Sequence, residues 1–588
     1  MSVILVVAAG FRLVGLDQVP PSLSHDEASN AYDGYCLLKT GQDRWGERWP
    51  IVLRAFGDAD YRPALMAYLT VPFQAVLGPE HVVVASRLPT ALVGVATVLV
   101  LYLLGRRLFG NRAGLLAALL LALCPWHIFI SRLAHESGLT PLFPVLLLWL
   151  LSAAGVDLAG APDAPGPLRL KWPWMMAAGV GIGLAPYAYA STWLFVPALL
   201  LVVGVVYRRT WLGQVRLKTG RRALAVMLVA AAVVAGPMIR VHVMDWSRVN
   251  ARALSESLLH TESTWASAMS TIGSQYLNHF GPDWLFITGD RWVDQSPPGV
   301  GQFQCYLLPL LIVGLARLTR QRSRAASKLV LAWLLLYPIA SATTHGGAST
   351  ARAAVGLCVF ALIGGLGLSV ILEYAKRAAM RRATGLVAAA VILGLAVRFG
   401  VIYFVRYPAN PEVQARYQVE FREAMDYLRP GMNAFDHIFV TDLRSSKDLW
   451  YTGEAYIFPL VYLPIEPEDF HAICRRNEVI EIDPPDAVGF HRIARAGRFT
   501  FTIDADAVGQ YRAAFTTGKV LLIARPGEVV GGRVLFRIER PATGIEGPGE
   551  TCLELRAVDL AKDLLRLPLA ARRQIMPDAV GQARVGGL

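Results

Sequence analysis

Uninterrupted apolar runs long enough to cross a bilayer recur along this chain, and they leave few folds open to it. A spanning helix needs about 20 mostly apolar residues, and windows of that size pick out about eleven candidates. Their centres lie near Ala8, Val98, Leu121, Leu147, Ile182, Leu200, Ala230, Leu310, Leu335, Ala361 and Leu393. Only the YAYAST stretch separates the runs at Ile182 and Leu200, so that boundary is the least marked. Composition agrees, with 54% hydrophobic and 17% charged residues among 588; a soluble domain has about 45–50% and about 25%. The expectation is an α-helical polytopic membrane protein with about 11 transmembrane helices.

The net charge of +13 could suggest a nucleic-acid partner. Much of the excess, however, sits in short clusters between apolar runs, such as GRRLFGNR, YRRTWLGQVRLKTGRR and ARLTRQRSRAASK. Clusters of that kind orient helices in a membrane, and no nucleic-acid partner is expected. With the N-terminus inside, the loops holding Arg106, Arg107 and Arg112, then Arg169 and Lys171, then Arg208 to Arg222, Arg317 to Lys328 and Lys376 to Arg382 all become cytoplasmic. The short loops opposite carry almost no Lys or Arg apart from Arg132. This orientation in the cell (inner) membrane puts four pieces on the extracytoplasmic side: the loop from Ser22 to Pro72, the WHIFISRLAHESG turn, the segment from about His242 to Gln302, and everything after about Val405.

Six cysteines form no framework. Cys124, Cys305 and Cys358 fall in apolar runs, no CxxC pair exists, and Cys474 with Cys552 is compatible with one disulfide without demanding it. Met1 leads straight into SVILVVAAGF without a basic n-region, which reads as a first span that is short at its N-terminus.

The chain is expected to divide into a catalytic transmembrane module, residues 1–240, with its first extracytoplasmic loop at 17–87; a loop with additional transmembrane helices, 241–405; and a C-terminal extracytoplasmic domain, 406–588. The tail alternates in charge and holds β-branched runs, HIFVTD, FTFTID and KVLLIARP, after the helix-like QARYQVEFREAMDYLRPG. That order predicts a small α/β domain. Nothing repeats at a fixed period.

The first loop concentrates chemistry. It holds Asp26, Glu27, Asp33, Asp43, Glu47, Asp58 and Asp60 with several Trp and Tyr residues. Asp33, Asp43, Glu47 and Asp58 read as solvated loop charges, the usual fate of carboxylates. Asp26 and Glu27 differ, because they follow a stiff Pro-Pro and a Ser24 that could cap a helix beginning HDEASNAYDGYCLL. Asp26, Asn30 and Asp33 share one face of that helix, which is amphipathic enough to lie on a membrane surface. A carboxylate at the bilayer boundary can take a proton from an acceptor hydroxyl or amine. Arg62 precedes an apolar stretch in GDADYRPALMAYLTVP, beside Tyr61 and with Pro63 setting the turn. Its guanidinium suits a phosphate through paired donors, or it snorkels to lipid headgroups. Arg132, His135 and Glu136 place three ionisable groups in one outer turn.

The order LSHDEASNAYDGYCLLKTGQDRWGE, FGDADYRPALMAYLTVP, RLPTALVGVATVLVLYLLGRRLFG and CPWHIFISRLAHES resembles the N-terminal module of glycosyltransferase family 39, which includes protein O-mannosyltransferases and aminoarabinose transferases. The resemblance runs from about Val3 to Leu150, weakens through FGPDWLFITGDRWVDQSPPGVGQF and gives no guide to the tail. It implies the C-type membrane glycosyltransferase fold and a polyprenyl-phosphate sugar donor, used on the extracytoplasmic side with inversion at the anomeric carbon. It makes Asp26 the base with Glu27 beside it. The family's Tyr-x-x-Lys-Pro-Pro type stretch corresponds to Asp60, Tyr61, Arg62, Pro63 and Ala64, with Arg in place of Lys and Ala in place of the second Pro. Arg62 and Arg132 are thereby expected at the donor phosphate, and Tyr61, Asp60 and Glu136 around the substrate; His345, in the outer ATTHGGAST loop, either meets the donor headgroup as part of the substrate site or is a packed or solvated histidine. No obligate cofactor is implied. Relatives differ over a divalent cation, and the adjacent His25, Asp26 and Glu27 cannot easily converge on one ion. The partners are the lipid-linked donor, membrane lipids and an acceptor the sequence does not name. The alternative is a lipid or polysaccharide transporter or flippase of the envelope, which would need ionisable residues lining a path within the spans; most span centres here are Ala, Leu, Val and Gly.

Overall fold

The computed structural model describes residues 1–57, 60–160, 170–375, 377–441, 454–463, 465–482, 492–502, 519–524, 533–540 and 550–559. Asp58, Arg169 and Lys376 lie outside the described residues, as does the side chain of Cys552. The chain gathers into two compact units: Met1–Pro20, Pro50–Leu53 and Tyr61–Pro408 form the first, and Pro21–Trp49, Arg54–Asp60 and Ala409–Leu588 the second. The first loop is thus shared out, most of it grouping with the tail.

The first unit is helical. Every one of the eleven apolar centres falls in a helix. Among the described residues six helices are long and apolar enough to cross a membrane, Pro79–Phe109, Glu136–Ala153, Lys218–Met244, Ala325–Ala342, Ala354–Tyr374 and Ala378–Ala409. Ala190–Val206 with Arg208–Arg216, bent by 78°, makes a seventh if counted as one span. The centres at Ala8, Leu121, Ile182 and Leu310 sit in helices of only 12 to 14 residues. The chain is a multi-pass membrane protein on this count, with six or seven full-length helices where about eleven spans are expected from sequence. Small residues let its helices close up. A Cβ at Gly179 or Gly183, in the helix Trp172–Leu184, would run into carbonyl oxygens of Met227 and Ala231 on the helix Lys218–Met244.

Buried arginines satisfy carbonyls at a helix end and in the turn that follows the first helix. The last carbonyls of a helix have no partner within it, and burying them bare is costly. Arg12, in α1 (Ser2–Leu13), donates to the carbonyls of Leu121 and Ala122 at the end of the helix Asn111–Ala122, 3.2 and 3.1 Å away, and to His127 Nδ1 at 2.8 Å. Arg87 donates to Leu16 and Pro20 carbonyls, both at 2.8 Å. Two short strands, β1 (Val52–Arg54) and β2 (Tyr61–Pro63), form a hairpin sheet.

The second unit is built on α2 (His25–Thr40) and a sheet. Ser24 closes a capping box on α2: its Oγ accepts from Glu27 N at 3.3 Å, and Glu27 Oε2 accepts from Ser24 N at 3.0 Å. Gly41, at φ 67°, ends the helix in the left-handed conformation that glycine reaches without strain. The helix does not lie open on a surface as its amphipathicity predicts. Ten of its residues, from Glu27 to Leu37, are buried, and it packs against the helices Ile457–Tyr462 and Pro467–Arg475. Tyr462 Oη anchors the approach at Ser22 Oγ (3.0 Å) and Leu23 N (3.1 Å).

Two of the four carboxylates expected in solvent are also buried. Asp33 pairs with Arg44 at 3.0 Å, both almost wholly enclosed, and accepts the Arg44 backbone N–H at 3.1 Å. Asp43 Oδ1 accepts from Trp45 N at 3.0 Å and Glu47 N at 2.9 Å, while burial lifts its pKa above the usual carboxylate value. Partners in the protein replace water here, which is the condition for burying a charge. Glu47 is exposed as expected.

Beyond residue 409 the chain forms helices and a seven-stranded sheet. Its strands are β3 (His437–Thr441), β4 (Val479–Ile482), β5 (Arg492–Ala496), β6 (Phe499–Thr502), β7 (Lys519–Ala524), β8 (Arg533–Arg540) and β9 (Glu550–Asp559), in the order β4-β5-β6-β3-β7-β9-β8. β3 runs parallel to β6 and β7, and the remaining neighbours are antiparallel. The helical stretch ahead of it is broken at Gln418, whose φ of 51° separates Pro411–Arg416 from Val419–Leu428.

Candidate active site

The capping box fixes the first turn of α2, and with it the two acids singled out from sequence. Glu27 is 1% exposed and its carboxylate is committed to the Ser24 N–H. Its observed contact, through Oε2, starts the helix in which Asp26 stands. Asp26 sits on the same turn with its side chain 26% exposed. A negative charge is favoured there, because the free N–H groups and the helix dipole both present positive charge.

A histidine stands between Asp26 and a second acid. His25 Nε2 lies 3.3 Å from Asp26 Oδ1, and His25 Nδ1 lies 3.4 Å from Glu454 Oε2. The imidazole meets the Phe56 ring edge-on at 5.5 Å, and the Arg44 guanidinium lies 5.7 Å from the centre of that ring. Glu454 is 5% exposed. Sequence reading missed it because it stands in a part of the tail with no motif, hundreds of residues from Asp26. Asp60, expected at the substrate, is instead buried; its backbone closes a tight loop, with Ala55 N donating to its carbonyl at 2.8 Å and its own N–H donating to Gly57 O at 3.2 Å.

The remaining expected site residues belong to the first unit. Tyr61 and Arg62 are half-buried on β2. Tyr61 packs on a cluster of Val52, Met238 and Val249, together with Tyr187 and Trp193. The helix Leu65–Leu77 follows, as the apolar stretch after Pro63 predicts.

Arg132 is not available to a phosphate. It is fully buried, and all five of its N–H donors meet backbone carbonyls. Nε donates to Val19 (3.1 Å), one terminal nitrogen to Phe11 (3.0 Å) and Val14 (2.9 Å), and the other to Gly15 and Val19 (both 2.8 Å). Its guanidinium also faces the rings of Phe404 at 4.9 Å and Tyr403 at 5.8 Å. A cation at the C-terminal end of α1 suits both the free carbonyls and the helix dipole. The expectation of a donor-phosphate ligand is therefore corrected to a clamp on residues 11–19.

Glu136 is 2% exposed, with Oε2 3.6 Å from His135 Nε2. His135 Nδ1 accepts from Ser137 N at 3.1 Å, which leaves the ring proton on Nε2, facing Glu136. His345 is exposed but engaged, since its Nε2 lies 2.6 Å from Thr261 Oγ1. Its loop is fastened by Arg352, which donates to the His345 carbonyl at 2.6 Å and to Glu256 Oε2 at 2.7 Å. His345, expected around the substrate, is thus exposed and hydrogen-bonded through Nε2 to Thr261.

Comparison with known proteins bears on this geometry. Residues 61–236 match the family described as dolichyl-phosphate-mannose-protein mannosyltransferase. That stretch contains Tyr61, Arg62, Arg132 and Glu136; Asp26 and Glu27 precede it. No curated protein matches the chain by sequence. By structure, the chain is similar to ArnT from Cupriavidus metallidurans in the apo state, with a TM-score of 0.53 and 15% identity, covering 95% of this chain and 97% of that one. It is also similar to the same protein bound to undecaprenyl phosphate, with a TM-score of 0.50 and 15% identity over 95% and 96% of the two chains. The chain thus has the fold of the ArnT structures, and its residues 61–236 match the family described as dolichyl-phosphate-mannose-protein mannosyltransferase.

Proposed function

We propose that this protein is a membrane glycosyltransferase that moves a sugar from a polyprenyl-phosphate donor to an acceptor on the extracytoplasmic side. The observation that carries the reading is Asp26: in a helical turn where Glu27 is spent on a cap, it keeps a partly exposed carboxylate, within a fold shared with ArnT over 95% of the chain. The undecaprenyl phosphate bound by ArnT in one structure supports an isoprenoid phosphate as the donor's lipid here.

In this reading the acceptor O–H or N–H gives its proton to Asp26 as its heteroatom attacks the anomeric carbon. The bond from that carbon to the phosphate oxygen breaks, and polyprenyl phosphate leaves. Arg62 offsets the charge that grows on the leaving phosphate, a contribution that is commonly the largest single one in such sites. A well-placed general base adds about 10²–10⁴-fold. Single displacement inverts the anomeric configuration.

The test is mass spectrometry of envelope lipids and glycans from cells with and without the gene, then with Asp26→Asn supplied in trans. One sugar-bearing molecule is expected to vanish with the gene and to stay absent with the variant, at wild-type protein abundance. Full restoration by Asp26→Asn would remove the base.

A further inference from the structure

The geometry points to Glu454 as a positioning residue that, through His25, keeps Asp26 supplied with an outlet for the proton it takes. This rests on the reading of Asp26 as the base. Three observations carry it. The imidazole spans two carboxylates, with Asp26 Oδ1 3.3 Å from Nε2 and Glu454 Oε2 3.4 Å from Nδ1. The two acids differ in access: the Asp26 side chain is 26% exposed and the Glu454 side chain 7%. The ring plane is held by the edge contact with Phe56, itself packed edge-on against Tyr456, two residues beyond Glu454.

Once Asp26 has taken the acceptor proton, Glu454 is the ionised carboxylate left beside the ring; it favours the tautomer with the proton on Nδ1 and leaves Nε2 able to accept from Asp26. The same logic orients the histidine of hydrolytic triads. The sequence of transfers then balances. The acceptor heteroatom bonds to the anomeric carbon, the carbon–phosphate oxygen bond breaks, and the acceptor proton passes to Asp26. Asp26 hands it to His25 Nε2 and returns to the carboxylate. Glu454 holds the resulting imidazolium until His25, 21% exposed, releases the proton to water. Both separations are ion-pair distances short of formed hydrogen bonds, with Asp26 Oδ1 buried; the relay requires them to tighten when substrates bind, as catalytic contacts commonly do.

The experiment uses the purified full-length chain and, as probe, the envelope fraction of cells lacking the gene, which supplies the native donor and acceptor; initial rates of product formation are read by mass spectrometry. His25→Gln and Glu454→Ala are expected to fall by tenfold or more, at unchanged half-saturation by the envelope fraction and unchanged melting midpoint. Glu454→Asp, which keeps the charge, is expected within about threefold of wild type. His25→Gly is expected to recover with added imidazole when Glu454 is intact, and not in His25→Gly combined with Glu454→Ala. A wild-type rate for Glu454→Ala beside an inactive Asp26→Asn would overturn the relay and leave the base standing. An active Asp26→Asn would instead remove the base itself.

Discussion

Replacing Arg132 separates a structural clamp from a phosphate ligand, because the two roles predict opposite measurements. Its guanidinium makes five hydrogen bonds to the carbonyls of Phe11, Val14, Gly15 and Val19. An ammonium has three donors on one nitrogen, so Arg132→Lys forfeits at least two of the five. Hydrogen bonds to a charged group are each worth about 1.5–3 kcal/mol, which puts the loss at about 3–6 kcal/mol. Neighbouring bonds are not additive and residues 14–19 can relax, so the low end, about 3 kcal/mol, is the expected cost. Arg132→Ala removes the guanidinium from all four carbonyls, of which Gly15 keeps the N–H groups of Gln18 and Val19, and should cost more. For a membrane protein that unfolds irreversibly, the readout is the apparent melting midpoint in lipid nanodiscs at one scan rate. It is expected to fall by several degrees for Lys and further for Ala, while the surviving folded enzyme keeps its wild-type dependence on donor concentration. An unchanged midpoint with a raised donor requirement would put Arg132 on the phosphate after all. Arg62→Ala is the counterpart: half-buried on β2, it should weaken donor saturation with little change in melting.

Three further outcomes follow from the same packing. Asp33→Asn leaves the enclosed Arg44 without its counter-charge and should destabilise by about 3–5 kcal/mol, read as a lower midpoint; a loss under 1 kcal/mol would contradict the pairing. Glu27→Ala should cost about 0.5–2 kcal/mol through the lost cap while Glu27→Gln, which can still accept the Ser24 N–H, costs less; an inactive yet fully stable Glu27→Gln would return Glu27 to catalysis. His279 donates from Nδ1 to Gln275 O at 2.7 Å, and burial lowers its pKa to about 4. The unfolded value is about 6.5, so this contribution is complete above pH 6.5 and is lost as pH falls toward 4, by about 3 kcal/mol in all. His279→Asn, which keeps the donor without the titration, should flatten the melting midpoint across that window, and an unchanged slope would assign it elsewhere.

The apolar periodicity carried the architecture because hydrocarbon demands helices whatever their neighbours are. That is why all eleven centres lie in helices. Helix lengths were another matter: the runs at Ala8, Leu121, Ile182 and Leu310 stop after 12 to 14 residues, where packing and turns rather than hydropathy set the ends. In the tail, HIFVTD, FTFTID and KVLLIARP became β3, β6 and β7, three adjacent strands at the middle of the sheet. Their apolar β-branched runs are what burial on both faces requires. The flanking β4, β5, β8 and β9 mix charged and apolar residues and gave no comparable signal.

At the candidate site the local signals held and the long-range ones did not exist. Ser24 and Glu27, three residues apart, announce a cap whose chemistry is complete within one turn. Whether a carboxylate or a guanidinium is free, clamped or buried depends on partners far away in the chain. The four carbonyls around Arg132 come from residues more than a hundred positions earlier, and Glu454 reaches His25 from the tail. Sequence by itself determined a helical membrane protein with a capped acidic turn in its first loop, since hydropathy and capping act over a few residues. Only the tertiary structure decided which charges remain for chemistry, because desolvation and pairing are settled by whatever the fold brings within about 4 Å.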